Sequence, residues 1–148
     1  MSHPLFDLTG RVAVVTGAAG NLGGATATAL AEAGADTLLV DINAEGVQRR
    51  SEELRALGRR AVPVVCDVSD AQAVRAMFGR LDEEYGRVDV LANMAGDGCL
   101  SKPEDLTTEQ LEQVLRNLVV GRFAACQEAG RRMLAAGKGS IINTGSLA

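Results

Sequence analysis

Val12-Ala13-Val14-Val15-Thr16-Gly17-Ala18-Ala19-Gly20-Asn21-Leu22-Gly23 is the stretch that decides the fold of this chain. Val12–Thr16 is a short, valine-rich run without polar alternation, the pattern of a strand buried on both faces. It ends in glycines, and from Leu22 to Ala33 the composition turns helical, closing on Gly34 as a C-cap. Glycines between a strand and a helix let the backbone reverse tightly and approach a pyrophosphate closely. The helix that follows offers free N–H groups and the positive end of its dipole to the same place. A glycine-rich turn alone can serve chain reversal only. Its position at the first strand-to-helix crossover is what points to a nucleotide.

Working outward, apolar runs and helix-period segments alternate. Thr37–Val40 is a second strand ending at Asp41, and Ala44–Leu57 a polar-faced helix closed by Gly58. Ala61–Cys66 is a third strand, and its Pro63 predicts an edge position, because proline cannot donate to a central ladder. Asp70 caps a helix that runs to Tyr85 and stops at Gly86. Val88–Ala92 is the fourth strand; a long helix follows from Thr108 to Ala135, and Ser140–Asn143 is the fifth strand. This alternation predicts one α/β domain over residues 1–148, a doubly wound Rossmann-type parallel sheet. Right-handed crossovers predict the strand order 3-2-1-4-5. Strand five is then an edge with Ile141 and Ile142 poorly covered, so the sheet is expected to be incomplete on its C-terminal side and the chain truncated.

The bulk numbers exclude several classes. The chain has 148 residues, 47% hydrophobic and 23% charged, which is globular rather than disordered. A net charge of −4 argues against a nucleic-acid partner. The pairs Arg49–Arg50, Arg59–Arg60 and Arg131–Arg132 read as solvated helix ends, not a binding stripe. Cys66, Cys99 and Cys126 form no CxxC pair, so a reducing compartment without disulfides is expected. A lone His3 cannot make a zinc site. No signal peptide and no bilayer-length apolar stretch is visible, so a cytoplasmic protein with no membrane partner is expected.

Asp41 closes the second strand, eighteen residues beyond Gly23. A carboxylate there can accept both hydrogen bonds of an adenosine ribose diol and would repel a 2′-phosphate. The glycine loop contains no lysine or arginine to attract that phosphate, which favours NAD over NADP. The plainer reading of Asp41 is an N-cap for the next helix. Asp67-Val68 ends the third strand, where an adenine would lie, although Asp67 also suits a turn. Asn93-Met94-Ala95-Gly96 ends the fourth strand beside the same crevice; its small residues permit close approach, and Asn93 can tie neighbouring strands.

Taken together, these positions resemble the short-chain dehydrogenase/reductase family along essentially the whole chain. The family's TGxxxGxG turn is matched by Thr16, Gly17 and Gly23, with Asn21 in place of the middle glycine and Leu22 between. Asparagine tolerates left-handed backbone angles better than most residues, which makes that departure mild. The family's acidic residue falls on Asp41, its Asp-Val adenine contact on Asp67 and Val68, and its NNAG motif on Asn93-Met94-Ala95-Gly96. The resemblance implies a catalytic serine at Ser146 that hydrogen-bonds the substrate oxygen, and NAD(H)-dependent interconversion of a secondary alcohol and a ketone. The opening Pro4-Leu5-Phe6-Asp7-Leu8-Thr9-Gly10-Arg11 is similar to members acting on sugar acids and polyols, and also to 3-oxoacyl reductase-like ones. It further implies a homo-oligomer formed through the long helix, for which Ala124, Ala125, Ala129 and Ala135 would be the small packing residues.

Two departures bear on catalysis. The family places an asparagine on the long helix to hold a water in its proton relay. Asn117 is off by one residue, with Leu118 in register, and one residue is about 100° of helix rotation. Asn117 would face the site only through a local bulge or kink. The family's YxxxK motif, whose lysine tunes the tyrosine for proton transfer, is absent from the 148 residues. The single tyrosine, Tyr85, reads as a packing residue. A catalytically inactive nucleotide-binding fragment or pseudoenzyme is therefore the alternative expectation.

Overall fold

Strand β1 (Val12–Thr16) is buried at all five positions, so helices must cover both of its faces. The computed structural model describes residues 4–145. In it five parallel strands form one sheet in the order β3-β2-β1-β4-β5. The others are β2 (Asp36–Asp41), β3 (Ala61–Val65), β4 (Val90–Asn93) and β5 (Ser140–Asn143). This is the order that right-handed crossovers predict, with Pro63 in an edge strand.

Alternate residues of each strand feed two cores. Val15, Leu39 and Ala92 pack with Ala27 and Ala31 of α1 (Asn21–Glu32) and with Val47 and Leu54 of α2 (Ala44–Ala56). Val14, Leu38 and Leu91 pack on the opposite face with Val74, Phe78 and Leu81 of α3 (Ala71–Tyr85), and with Ala125 and Ala129 of the last helix. Each fully buried valine, leucine or phenylalanine among them stabilises by about 1.5–3 kcal/mol. The α3 boundaries are chemical: the Asp70 carboxylate accepts from the Gln72 N–H at 2.8 Å, and Gly86 closes the helix at φ +66°.

The segment read as one helix from Thr108 to Ala135 is three pieces. α4 (Thr108–Leu115) leads into a π-helical turn, Arg116–Gly121, and α5 (Arg122–Ala135) follows. A π turn absorbs one extra residue without breaking the helix path. The alanine reading is corrected as well. Ala124, Ala125 and Ala129 are 7%, 1% and 0% exposed; they face this chain's own sheet and α3 and are not available to a partner helix, whereas Ala135 is exposed. The large apolar residues that this region exposes are Leu111, Leu115, Val119, Val120, Phe123 and Leu134, of which Leu111, Leu115, Val119 and Phe123 follow one another at helical spacing. β5 is exposed at all four positions, Ile141 and Ile142 included. Among the described residues no helix is long and apolar enough to cross a membrane.

Candidate functional site

The strand order reverses between β1 and β4, and parallel α/β sheets bind ligands at the carboxyl ends of their strands at such a point. A cleft of about 430 Å³ opens there. Gly17 and Gly20 form one wall, Asp41 and Ile42 the end of β2, and Asp67 and Val68 the end of β3. Ala95 and Gly96 follow β4, and Gln113 and Asn117 reach in from α4 and the π turn.

The glycine turn is close-packed. Gly17 adopts φ +69°, and a Cβ on it would lie 2.8 Å from the Ala95 nitrogen. A Cβ on Gly23 would fall on the Gly17 carbonyl oxygen, so glycine there lets α1 start against the turn. The Ala18 N–H donates to the Val40 carbonyl at 3.1 Å, joining the turn to β2. Helices α2, α3 and α4 begin under side-chain caps from Asn43, Asp70 and Thr107, whereas α1 has none. Its first-turn N–H groups and dipole are left to whatever occupies the cleft.

Thr16 is buried and serves the scaffold: its Oγ1 accepts from the Met94 and Ala95 N–H groups, each at 3.1 Å. Asn21 opens α1, and Leu22 is 73% exposed; neither lines the cleft. No described residue other than glycine has a positive φ, so the left-handed tolerance offered for Asn21 is not used. The reversal falls on Gly17 instead.

The Asp41 carboxylate accepts from the Ala19 N–H and from the Asn43 N–H, both at 2.9 Å. The α2 cap is Asn43, whose Oδ1 accepts from the Gly46 N–H at 2.9 Å, so Asp41 is not that helix's N-cap. Asp67 accepts from the Ser69 N–H at 2.9 Å within its turn while lining the cleft. Asn93 is buried and donates to Asn143 Oδ1 at 2.9 Å, tying β4 to β5 below the cleft.

Asn117 lines the cleft, and Leu118 packs against Gly96, so the π turn brings Asn117 to the side the sequence assigned only conditionally. A Cβ on Gly121 would fall on the Val68 carbonyl, seating the end of the π turn against the β3–α3 loop. Ser146 lies outside the described residues. Ile42, Cys66, Asp97 and Gln113 also line the cleft and were missed by sequence reasoning. Ile42 follows a strand end, and Gln113 stands one helical turn before Asn117, and both signals were available. Burial, with Asp67 and Asp70 nearby, pushes the Cys66 thiol up to about 11, so it stays protonated and unreactive.

A model of the short chain dehydrogenase family matches residues 11–148. The chain belongs to that family. It is 41% identical over 143 residues to the D-threitol dehydrogenase of Mycolicibacterium smegmatis, covering 97% of this chain and 55% of that one. It is 34% identical to the NAD-dependent glycerol dehydrogenase of Listeria innocua, with the same coverage. The crystal structure of NAD+-bound xylitol dehydrogenase superposes with a TM-score of 0.91 at 35% identity, covering 95% of this chain and 55% of that one. The chain thus spans about half the length of the dehydrogenases it matches.

Proposed function

We propose that the cleft holds NAD(H) and that the protein interconverts a secondary alcohol and a ketone, on a polyol, sugar-acid or 3-oxoacyl type of substrate. The observation that carries this reading is Gly17 packed under the Ala95 peptide, beside an uncapped helix N-terminus and the Asp41 carboxylate. The pyrophosphate would lie on the glycine turn and the first N–H groups of α1. Each Asp41 oxygen accepts one backbone N–H and keeps a lone pair for the adenosine ribose diol. Adenine would lie between Ile42 and the Asp67-Val68 turn. Asp41, Asp67 and Asp97 line the cleft and, among the described residues, no lysine or arginine does, which disfavours a 2′-phosphate.

When bound, NAD(H) supplies the hydride acceptor or donor. Ser146 would hydrogen-bond the substrate oxygen, and Asn117 would hold a water on the proton path. Tyr85 takes no part: its hydroxyl donates to the Thr37 carbonyl at 2.9 Å, and burial holds its phenol well above the ordinary range. The proton-transferring tyrosine and its lysine would come from sequence equivalent to the part of the relatives beyond the match. The row Leu111, Leu115, Val119 and Phe123 would form a homo-oligomer contact, tested by sedimentation at micromolar concentration, where a monomer refutes it.

The test is a titration of the purified protein with NADH and with NADPH, read by reduced-nicotinamide fluorescence. NADH is expected to bind at least about tenfold more tightly, a 1.4 kcal/mol preference; binding of neither refutes the reading. A second reading is a nucleotide-binding protein without catalysis. Intact mass separates the two: well above 15.4 kDa calls for dehydrogenase assays on polyols, and a value at 15.4 kDa leaves cofactor binding alone.

A further inference from the structure

Arg122 opens α5 behind the cleft and lines none of it. Its Nη1 donates to the Thr144 carbonyl and its Nη2 to the Ala95 carbonyl at 3.2 Å. The Nε is buried with no partner, and among the described residues no carboxylate pairs with the charge. A half-buried cation with an orphaned N–H costs free energy, so the group stands out by what its two engaged donors do.

They act on a peptide that is held from both sides. The Ala95 N–H donates to Thr16 Oγ1 at 3.1 Å, while the Ala95 carbonyl accepts from Arg122. No described peptide bond is cis, and in a trans peptide the C=O and the following N–H point opposite ways. With the Ala95 carbonyl turned to Arg122, the Gly96 N–H is turned the opposite way, and Gly96 itself lines the cleft. Behind Gly96 the space is filled by Leu118 and by Arg122 Nη2, which a Cβ would meet at 3.1 Å.

We propose that Arg122 is a positioning residue. It turns the Ala95–Gly96 peptide so that the Gly96 N–H donates to a ribose or phosphate oxygen of the dinucleotide. Through Thr144 it holds the segment after β5 in line with the segment after β4. This rests on the reading that the cleft holds NAD(H).

NADH is the probe, with two variants of the full chain. Arg122→Met keeps the stem and loses both donors; Arg122→Ala leaves room for a free guanidinium ion. Each should raise the NADH dissociation constant about tenfold, the worth of one ligand hydrogen bond. Guanidinium at low millimolar concentration should restore NADH binding to Arg122→Ala and not to Arg122→Met, a rescue that a loss of folding would not give. The Gly96 amide signal in a ¹⁵N spectrum should move on adding NADH to the parent and stay still in Arg122→Met. Variants that bind NADH within about twofold of the parent, or that lose it without rescue and with a lowered melting temperature, overturn the proposal. A parent that binds no NADH overturns the nucleotide reading, and this inference with it.

Discussion

Gly17→Ala and Gly58→Ala make a matched pair that separates backbone conformation from contact. Both glycines are left-handed, at φ +69° and φ +78°. An alanine in that region costs about 1–2 kcal/mol. Around Gly58 nothing lies within 4 Å of an added Cβ, so that conformational cost is the whole effect. At Gly17 the Cβ would stand 2.8 Å from the Ala95 nitrogen and 2.9 Å from its Cα. Both are backbone atoms, held in turn by Thr16, so the loop after β4 must shift, at a further cost of about 1–3 kcal/mol. For a chain of this size 1 kcal/mol is about 2–4 °C of melting temperature. Gly58→Ala should therefore melt about 4 °C lower and Gly17→Ala about 10 °C lower by calorimetry. NADH affinity should survive Gly58→Ala and fall at least about tenfold in Gly17→Ala, because the displaced peptide lines the cleft. Equal melting shifts, or full NADH affinity in Gly17→Ala, would refute the close-packing argument.

Asp41→Ala should weaken NADH binding more than NADPH binding, and equal losses in parallel titrations would sink the ribose assignment. It should also cost about 1 kcal/mol of stability, since the Ala19 N–H loses its acceptor. Tyr85→Phe should cost about 1 kcal/mol through the lost bond to Thr37, leaving NADH affinity unchanged. The folded Tyr85 phenol titrates above its ordinary 10.0, so its stabilisation is complete below pH 10.0 and fades at higher pH. Tyr85→Phe should flatten that alkaline limb of melting temperature against pH. Burial pushes the Asp89 carboxyl up, but Arg87, the Val12 N–H and Arg11 together hold it below 3.8. Its stabilisation is present above about pH 3.8 and lost as pH falls further, so Asp89→Asn should flatten the acid limb of the same curve.

Much of the frame was legible because local chemistry and global topology agree here. The buried run at Val12–Thr16, the Pro63 edge, the Asp70 cap and the Gly86 stop each have a short-range physical cause, and the crossover rule orders the strands from them. What escaped has a long-range cause. Ala124, Ala125 and Ala129 have the composition of a packing face, but nothing local says whether the sheet or a partner takes it; α3 and the sheet do. Arg122 resembles any surface arginine until β4 and β5 bring two carbonyls to it.

The middle of the long helix lies between these cases, and it shows how a site overrides propensity. Two contacts constrain it: Gly121 must meet the Val68 carbonyl, and Asn117 lines the cleft four residues earlier. In an α-helix, four residues turn through about 400°, setting the later side chain about 40° past the earlier one. A π turn, with its wider i→i+5 ring, rotates less per residue and brings the later one short of a full turn. The same four-residue spacing therefore points the two side chains differently in the two helices, and Arg116–Gly121 takes the π form. The sequence carries this as a one-residue misfit between Asn117 and the family register. That misfit is the imprint of a helix that seats its glycine on the β3–α3 loop and keeps an amide in the cleft.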